Sequence, residues 1–192
     1  GDSVKLIELL DEAVERAARA VAAKNPELDD DARAQVARMI GIGAVKYSDL
    51  STDRIKDYVF DWDRMLAFEG NTAPYLQYAH ARICSIFRRS GVARAAARRS
   101  PIGLAQPQER ALSQRLLAYP TALADTIATY SPHKLCTYLF DLAQDFSAFY
   151  EHCPVTKADE PIRTSRLALC DVTACTLEHG LALLGIAAPE QM

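Results

Sequence analysis

An apolar period of three and four residues in the last third of the chain constrains the fold most strongly. One helix is indicated after Ser131-Pro132, a pair typical of a helix start. Its apolar stripe consists of Leu135, Leu139, Leu142, Phe146 and Phe149. A second helix is indicated between Asp159-Glu160-Pro161 and Gly185, and its stripe consists of Leu167, Cys170, Ala174, Leu177, Leu181 and Leu184. Both helices must bury these stripes against other apolar surfaces.

Helix signals also dominate the beginning of the chain. A first helix is predicted to begin at Asp2 or Ser3 and to end at Asn25-Pro26. Asp29 can cap a second helix, which we expect Gly41-Ile42-Gly43 to relax or to end.

Two other segments lack a helical period. Residues 49–62, DLSTDRIKDYVFDW, are rich in turn formers and predict an ordered loop with exposed side chains. A helix capped by Asn71 or Thr72 should follow this loop. Residues 90–107 contain Ala, Arg, Gly and Pro without periodicity, which indicates a mobile linker or arm. Because no internal repeat is found, we predict an all-α fold, an irregular helical bundle and not a solenoid.

The charge of the chain is unevenly distributed. A net charge of −3 would ordinarily argue against a nucleic-acid partner. Residues 82–115, however, contain eight arginines and a single carboxylate, Glu109. We therefore expect one basic surface, which either contacts phosphates or is only a solvated face.

The sequence argues against independent chemistry. None of the four histidines has a second His or a Glu at helical metal-ligand spacing. His152 and Cys153 are adjacent, and neighbouring helical residues point in different directions, so they do not form an activated thiol pair. Glycine-rich phosphate loops are also missing. We expect a chain without cofactor or metal and with reduced cysteines. Since no stretch of about 18 apolar residues occurs, we also expect a cytoplasmic protein without a membrane partner.

A long run of residues resembles a known family. The run GIGAVKYSDLSTDRIKDYVFDWDRMLAFEGNTAPYLQYAHARICSIFRR, residues 41–89, is similar to the carboxy-terminal half of bacterial-type arginyl-tRNA synthetases. The resemblance extends to VKLIELLDEAVERA near the start and to YPTALADTIATYSPHKLCTYLFDLAQDFSAFYEHCPV and LALLGIAAPEQM further on. It implies an irregular helical bundle of the class I synthetase anticodon-binding type, the DALR type.

The resemblance also implies a division of labour. Residues 1–70 would be the tail of the catalytic region with a loop that faces the anticodon, and residues 71–192 the anticodon-binding domain. HIGH-like and KMSKS-like motifs are absent, so we expect a fragment that is inactive alone. The full-length enzyme would charge tRNA(Arg) with arginine, using ATP and magnesium. The expected partners are the anticodon loop of tRNA(Arg) and the chain's own catalytic domain. We expect the protein to be a monomer.

Candidate tRNA contacts follow from the same resemblance. Bases of an anticodon loop are unpaired, so they can stack on aromatic rings while arginines hold the phosphates. Tyr150 and Met192 match family positions that border the pocket for an anticodon base, and residues 49–58 match the loop that lies against the anticodon. The predicted contacts are Arg54, Tyr58, Arg64, Arg82, Arg88, Arg89, Tyr150 and Met192.

Several of these assignments have structural alternatives. Tyr58 can anchor its loop on the core through its hydroxyl group, and Tyr150 can simply pack beside Phe149. Arg64 can be an intramolecular ion-pair member beside Asp63. Trp62, Tyr75 and Tyr78 are not among the predicted contacts, and core packing is favoured for them over contact with RNA. The whole bundle can also be a protein-docking module without RNA affinity of its own.

Overall fold

The computed structural model describes residues 5–57 and 59–192. Within these ranges the backbone forms nine helices and no strand, which confirms the all-α prediction. The helices are α1 (Leu6–Lys24), α2 (Asp30–Leu50), α3 (Trp62–Met65), α4 (Ala73–Ser90), α5 (Arg94–Ala97), α6 (Pro107–Leu117), α7 (Tyr119–Thr129), α8 (Pro132–His152) and α9 (Ile162–Leu183). In the part of the chain so described, no helix is both long and apolar enough to cross a bilayer.

Two apolar clusters hold the helices together. The larger cluster lies among α4, α6, α8 and α9, and it buries every member of the two stripes that the sequence indicated. The smaller cluster joins α1 to α2 through Ala17, Val21, Val36, Ala37 and Ile40. Helix α4 contributes residues to the larger cluster and also packs on α2, so the two clusters belong to one bundle.

The expected interruption of the second helix is wrong. Helix α2 runs without a break from Asp30 to Leu50, through Gly41 and Gly43. A Cβ atom at Gly41 would lie 2.7 Å from the main-chain carbon and oxygen of Ala13 in α1. The glycine therefore serves the close approach of α1 and α2 and does not end the helix.

The side chains of the cap residues accept hydrogen bonds at the starts of α2, α3 and α4. The side chain of Asp29 accepts a hydrogen bond from the Ala32 N–H at 2.8 Å, as predicted. Of the two candidates before α4, Thr72 is the cap, since its hydroxyl oxygen accepts from the Tyr75 N–H at 3.2 Å. The predicted cap of α1, Asp2 or Ser3, lies outside the described residues.

The arginine-rich segment 90–107 differs from the predicted mobile arm. It contains the short helix α5 and is fixed to α9 at two places. Arg94 and Arg98 bind the buried carboxylate of Asp171, with nitrogen–oxygen distances of 2.8 and 2.7 Å. Further on, the Gly103 N–H donates to the Ser165 hydroxyl oxygen at 2.8 Å. Two partners distant in sequence, the Asp171 carboxylate and the Ser165 hydroxyl group, therefore hold the segment on α9.

The loop before α3 is shorter than predicted, because residues 49 and 50 belong to α2 and Trp62 begins α3. Residues 51–57 and 59–61 are not helical, and the described side chains from 54 to 60 are exposed. Ile55 and Val59 are 83% and 81% exposed, which is unusual for aliphatic side chains. The loop ends at Asp61, whose carboxylate accepts from the Asp63 and Arg64 N–H groups and begins α3.

Candidate nucleic-acid interface

A cleft of about 400 Å³ lies between α4 and α8 and is closed on one side by the segment 185–192. It brings together five of the eight predicted contacts, which are Arg82, Arg88, Arg89, Tyr150 and Met192. Its other described lining residues are Asn25, Tyr78, Ala81, Ser85 and Gln191. Rings, guanidinium groups and amides therefore share one concave surface.

The helical period of α4 explains why these side chains meet. Tyr78, Arg82, Ser85 and Arg89 follow one another at spacings of four, three and four residues, so they lie on one face of α4. The opposite face carries the buried apolar residues of the larger cluster. The apolar face fixes the rotation of α4, and that rotation directs the polar face to the cleft.

Arg82 contacts two tyrosine rings of the cleft. Its guanidinium carbon lies 4.9 Å from the ring centre of Tyr78 and 5.3 Å from that of Tyr150. Its Nη2 also donates to the Tyr78 hydroxyl oxygen at 3.2 Å. Because a guanidinium group is planar and stacks on rings, a nucleobase can either stack upon Arg82 or replace it beside Tyr150.

Tyr150 is half-buried and serves the core and the cleft together. Its ring packs on Phe146, with centres 6.1 Å apart and planes inclined by 26°. Its hydroxyl oxygen accepts a hydrogen bond from Arg89 Nη2 at 3.2 Å, which directs the hydroxyl end to the open side. The packing alternative is therefore correct for one part of the ring, while contact with RNA through the other part stays a prediction.

Three predicted contacts lie elsewhere or cannot be described. Arg54 is exposed, and its Nη1 donates to the Tyr130 carbonyl oxygen at 3.3 Å, away from the cleft lining. Arg64 is exposed and borders a separate cavity of about 280 Å³ between the end of α2 and the start of α4. The alternative, an ion pair of Arg64 beside Asp63, is not among the ion pairs that the described residues form. Tyr58 lies outside the described residues.

Comparison with known protein families gives two matches to the chain. The model of the family "DALR anticodon binding domain" matches residues 76–192, which include α8, α9 and most of α4. The chain belongs to the DALR anticodon-binding family. A second model, that of the catalytic domain of class I (R) tRNA synthetases, matches residues 1–62. Whether the two regions divide between residues 70 and 71 stays a prediction.

Relatives of this DALR chain include curated arginine–tRNA ligases. The chain is 58% identical to the one from Thermobifida fusca and 52% identical to the one from Klebsiella pneumoniae, over 100% of its own length in each case. It spans 33% of the length of these relatives. A solved arginyl-tRNA synthetase of Thermus thermophilus superposes on 99% of the chain and 32% of its own, at 39% identity, with a TM-score of 0.91. The arginyl-tRNA synthetase of Plasmodium falciparum covers 98% of the chain and 34% of its own, at 33% identity, with a TM-score of 0.84.

Outside the cleft, the DALR bundle neutralises several arginines with carboxylates. Burial would raise the pKa of Asp171, but hydrogen bonds from Arg98 and Arg94 hold that pKa below its ordinary value. Burial likewise would raise the pKa of Glu109, and hydrogen bonds from the Gln106 N–H and from Arg166 lower it. These carboxylates are therefore charged near neutral pH and neutralise the guanidinium groups beside them.

The adjacent residues His152 and Cys153 have different surroundings. Cys153 is buried, and this burial raises the pKa of its thiol. His152 contacts the Ala148 carbonyl oxygen at 2.9 Å instead. Among residues 5–57 and 59–192, no three His, Cys, Asp or Glu side chains are placed so that they could hold a metal ion.

Sequence reasoning missed several residues of the cleft. It assigned Tyr78 to the core, although the position of Tyr78 four residues before Arg82 could have placed both on one helical face. No comparable spacing in the sequence placed Asn25 and Gln191 beside the other residues of the cleft. They reach the cleft because segment 185–192 returns to the corner between α1 and α2, where Asn25 Nδ2 donates to the Met192 main-chain oxygen at 3.2 Å.

Proposed function

We propose that this chain is the tRNA-binding portion of an arginine–tRNA ligase and that its cleft receives an unpaired base of the tRNA(Arg) anticodon loop. One observation carries the proposal: Tyr78, Arg82 and Tyr150 meet on one wall of an open cleft of about 400 Å³. Exposed rings beside guanidinium groups are the usual means of holding a base that has left its stack.

The charge around the cleft supports a phosphate-bearing ligand. The described lining residues include three arginines and no carboxylate. Arg88 and Arg89 are exposed at the rim, and each uses only part of its five N–H donors within the chain. The cleft is therefore locally basic although the whole chain carries a net charge of −3.

The chemistry of the ligase would belong to the longer protein. We assign arginine activation, with ATP and magnesium, to parts of the ligase outside this chain. The cleft does not fit a magnesium nucleotide, because its described lining offers no carboxylate oxygen of the kind that magnesium prefers. A cytoplasmic, monomeric enzyme belongs to the same proposal.

A titration of the chain with anticodon stem-loops tests this function. A fluorescent stem-loop of tRNA(Arg) is titrated at several salt concentrations, and its central anticodon base is then exchanged. We expect log affinity to fall linearly with log salt. The base exchange should weaken binding by about tenfold or more, because one base contact contributes roughly 1–3 kcal/mol.

A stem-loop with an exchanged base pair in the stem is the matched control. It keeps the backbone charge and the loop sequence, so its affinity should equal that of the original stem-loop. Equal affinity for every central base, or no binding at low salt, would reject anticodon recognition by this chain.

A docking function is the second candidate, and exposed apolar side chains favour it. Leu6 and Ile7 at the start of α1 are 68% and 61% exposed, and Leu117 at the end of α6 is 80% exposed. Such side chains suit contact with further parts of a longer protein. A chain that binds no stem-loop but whose α1 variants lose contact with the catalytic part would support this candidate.

A further inference from the structure

We propose that Asn25 is a positioning residue for anticodon selectivity, so that the corner between α1 and α2 takes part in reading the base. This inference rests on the proposed function of the cleft. It concerns one wall of the cleft, formed by Gln191 and Met192, and the groups that hold that wall in place.

Side chains from three helices hold the segment 185–192 by its main-chain oxygens. Each of these donors lies on a helix or at a helix end, and each acceptor is a carbonyl oxygen of the segment. The pairs are Lys46 Nζ with Gly185 at 2.6 Å, Gln77 Nε2 with Ala187 at 2.7 Å, His80 Nδ1 with Pro189 at 3.0 Å, Arg88 Nη1 with Glu190 at 2.9 Å and Asn25 Nδ2 with Met192 at 3.2 Å.

The buried members of this set make the first part of the segment rigid. Gln77 is fully buried and His80 is 1% exposed. A carbonyl oxygen can only accept, so Nδ1 of His80 must carry the proton that binds Pro189. Loss of the His80 bond would leave Nδ1 of a buried ring without its carbonyl partner, which ties Pro189 to α4. Gln77 Nε2 also donates to the Met39 carbonyl oxygen at 3.1 Å, so it joins Ala187 to α2 as well as to α4.

Asn25 holds the last part of the segment and has no other side-chain hydrogen bond among the described residues. It ends α1 through its backbone N–H, which donates to the Val21 carbonyl oxygen at 2.9 Å. Its side-chain amide is therefore free for Met192. The Met192 side chain packs on the smaller cluster between α1 and α2, which includes Val21 and Ile40. The corner thus binds Met192 by an apolar and by a polar contact.

The two walls of the cleft consequently depend on different anchors. Tyr78, Arg82 and Tyr150 lie on long helices whose apolar faces are buried. Met192 depends on the corner, because Asn25 supplies the hydrogen bond nearest to it. Removal of this donor should loosen the Met192 wall while the arginines at the rim keep their positions. Selectivity for the base should then fall, whereas phosphate attraction should persist.

Asn25→Ala tests this inference in the 192-residue chain with the stem-loops described above. The measured quantity is the ratio of affinities for the original stem-loop and for the one with the exchanged central base. We expect the ratio to fall by about three- to tenfold, as for the loss of one hydrogen bond. The slope of log affinity against log salt should not change, since no phosphate contact is removed.

Three further variants separate positioning from folding. Asn25→Asp keeps the size but places a carboxylate oxygen against the Met192 oxygen, so it should reduce the ratio like Asn25→Ala. Asn25→Gln keeps an amide donor and should retain a larger part of the ratio. Gln35→Ala removes an exposed amide from α2 and should leave the ratio unchanged.

Each outcome decides the inference. In the first case the unaltered chain discriminates between the bases. If the variants Asn25→Ala and Asn25→Asp then discriminate equally well, the inference is wrong and the proposed function stands. An equal loss of affinity for both stem-loops makes Asn25 a structural residue only, which also overturns it. If the unaltered chain does not discriminate, the proposed function fails and the inference fails with it.

Discussion

The arginines around the cleft and the arginines that pair with carboxylates have different neighbours in space. The cleft arginines, Arg82, Arg88 and Arg89, contact tyrosines and main-chain oxygens. The paired arginines, Arg94, Arg98, Arg115 and Arg166, bind carboxylates. Seven of the guanidinium groups in the bundle thus fall into two sets with different electrostatic roles.

The difference shows what a count of charges along the sequence cannot provide. Asp171 binds both Arg94 and Arg98, although it lies more than 70 residues away in sequence, and Glu178 lies 3.8 Å from Arg94. Arg115 is matched by Asp141 and Asp145 on one face of α8. Since these partners are distant in sequence, the run of basic residues overstates the surface that is open to phosphate. The described lining of the cleft contains no carboxylate, so it does not compensate the positive charge of the cleft arginines.

The largest expected effect concerns the buried pair of Arg166 and Glu109. Arg166 Nε lies 2.7 Å from Glu109 Oε1, and the side chains are 8% and 2% exposed. Arg166→Ala leaves a buried carboxylate without its partner, which should reduce the free energy of unfolding by about 3–5 kcal/mol. Urea denaturation followed by circular dichroism measures this loss.

Arg99→Ala is the matched control for this prediction, because it removes an arginine that is exposed, in the segment 90–107. Its replacement should change the free energy of unfolding by less than about 0.5 kcal/mol. Replacing both Glu109 and Arg166 by apolar residues of similar volume should recover much of the loss. A destabilisation of Arg166→Ala no larger than that of the control would show that the pair does not hold the fold.

Acid should weaken the paired set by a smaller amount. The pKa values of Asp171 and Glu109 are lowered in the folded chain, so between the folded and unfolded pKa values the unfolded chain binds more protons. Their contribution to stability is therefore complete above the unfolded pKa of about 4 and is lost as the pH falls through the lower folded values. Protonation leaves a neutral carboxyl group that still accepts hydrogen bonds, which makes the effect smaller than that of Arg166→Ala.

Denaturation of the chain and of Asp171→Asn at several pH values measures the acid effect. The variant keeps the shape of the side chain but cannot ionise. The difference in unfolding free energy between the two proteins should be constant near neutral pH and should shrink below pH 4. A difference that grows on acidification would contradict the assigned direction of the pKa shift.

Next in size is the effect of a ring in the cleft. Tyr150→Ala should weaken stem-loop binding by roughly 1–3 kcal/mol, because a stacking surface is lost. Tyr150→Phe keeps the ring on Phe146 and loses only the hydroxyl group that accepts from Arg89. It should therefore bind nearly as well as the unaltered chain. If both variants lose affinity equally, the hydroxyl group matters and ring stacking does not.

The sequence predicted the parts of this molecule that depend on local periods. The stripes from Leu135 to Phe149 and from Leu167 to Leu184 were confirmed, because a buried helical face repeats within a few residues. Gly41 was misinterpreted, since its reason is the backbone of Ala13 in another helix. Five predicted contacts share one cleft because Tyr150 and the α4 arginines lie on neighbouring helices and segment 185–192 returns beside them. Asn25 could not be found, because its partner lies 167 residues further on.

The smallest expected effect separates the two arginine sets directly. Arg89→Gln and Arg98→Gln each remove one exposed guanidinium charge, and both side chains retain a similar length. Arg89 lies at the rim of the cleft, so its loss should reduce the slope of log affinity against log salt by about 0.7, the value for one phosphate contact in a single strand. Arg98 is 58% exposed but bound to Asp171 at 2.7 Å, so its loss should leave the slope unchanged and lower stability instead. Titrations with the anticodon stem-loop between about 50 and 200 mM salt measure both slopes. Equal changes in slope would mean that carboxylate pairing does not remove an arginine from phosphate binding, because the two variants differ mainly in that pairing.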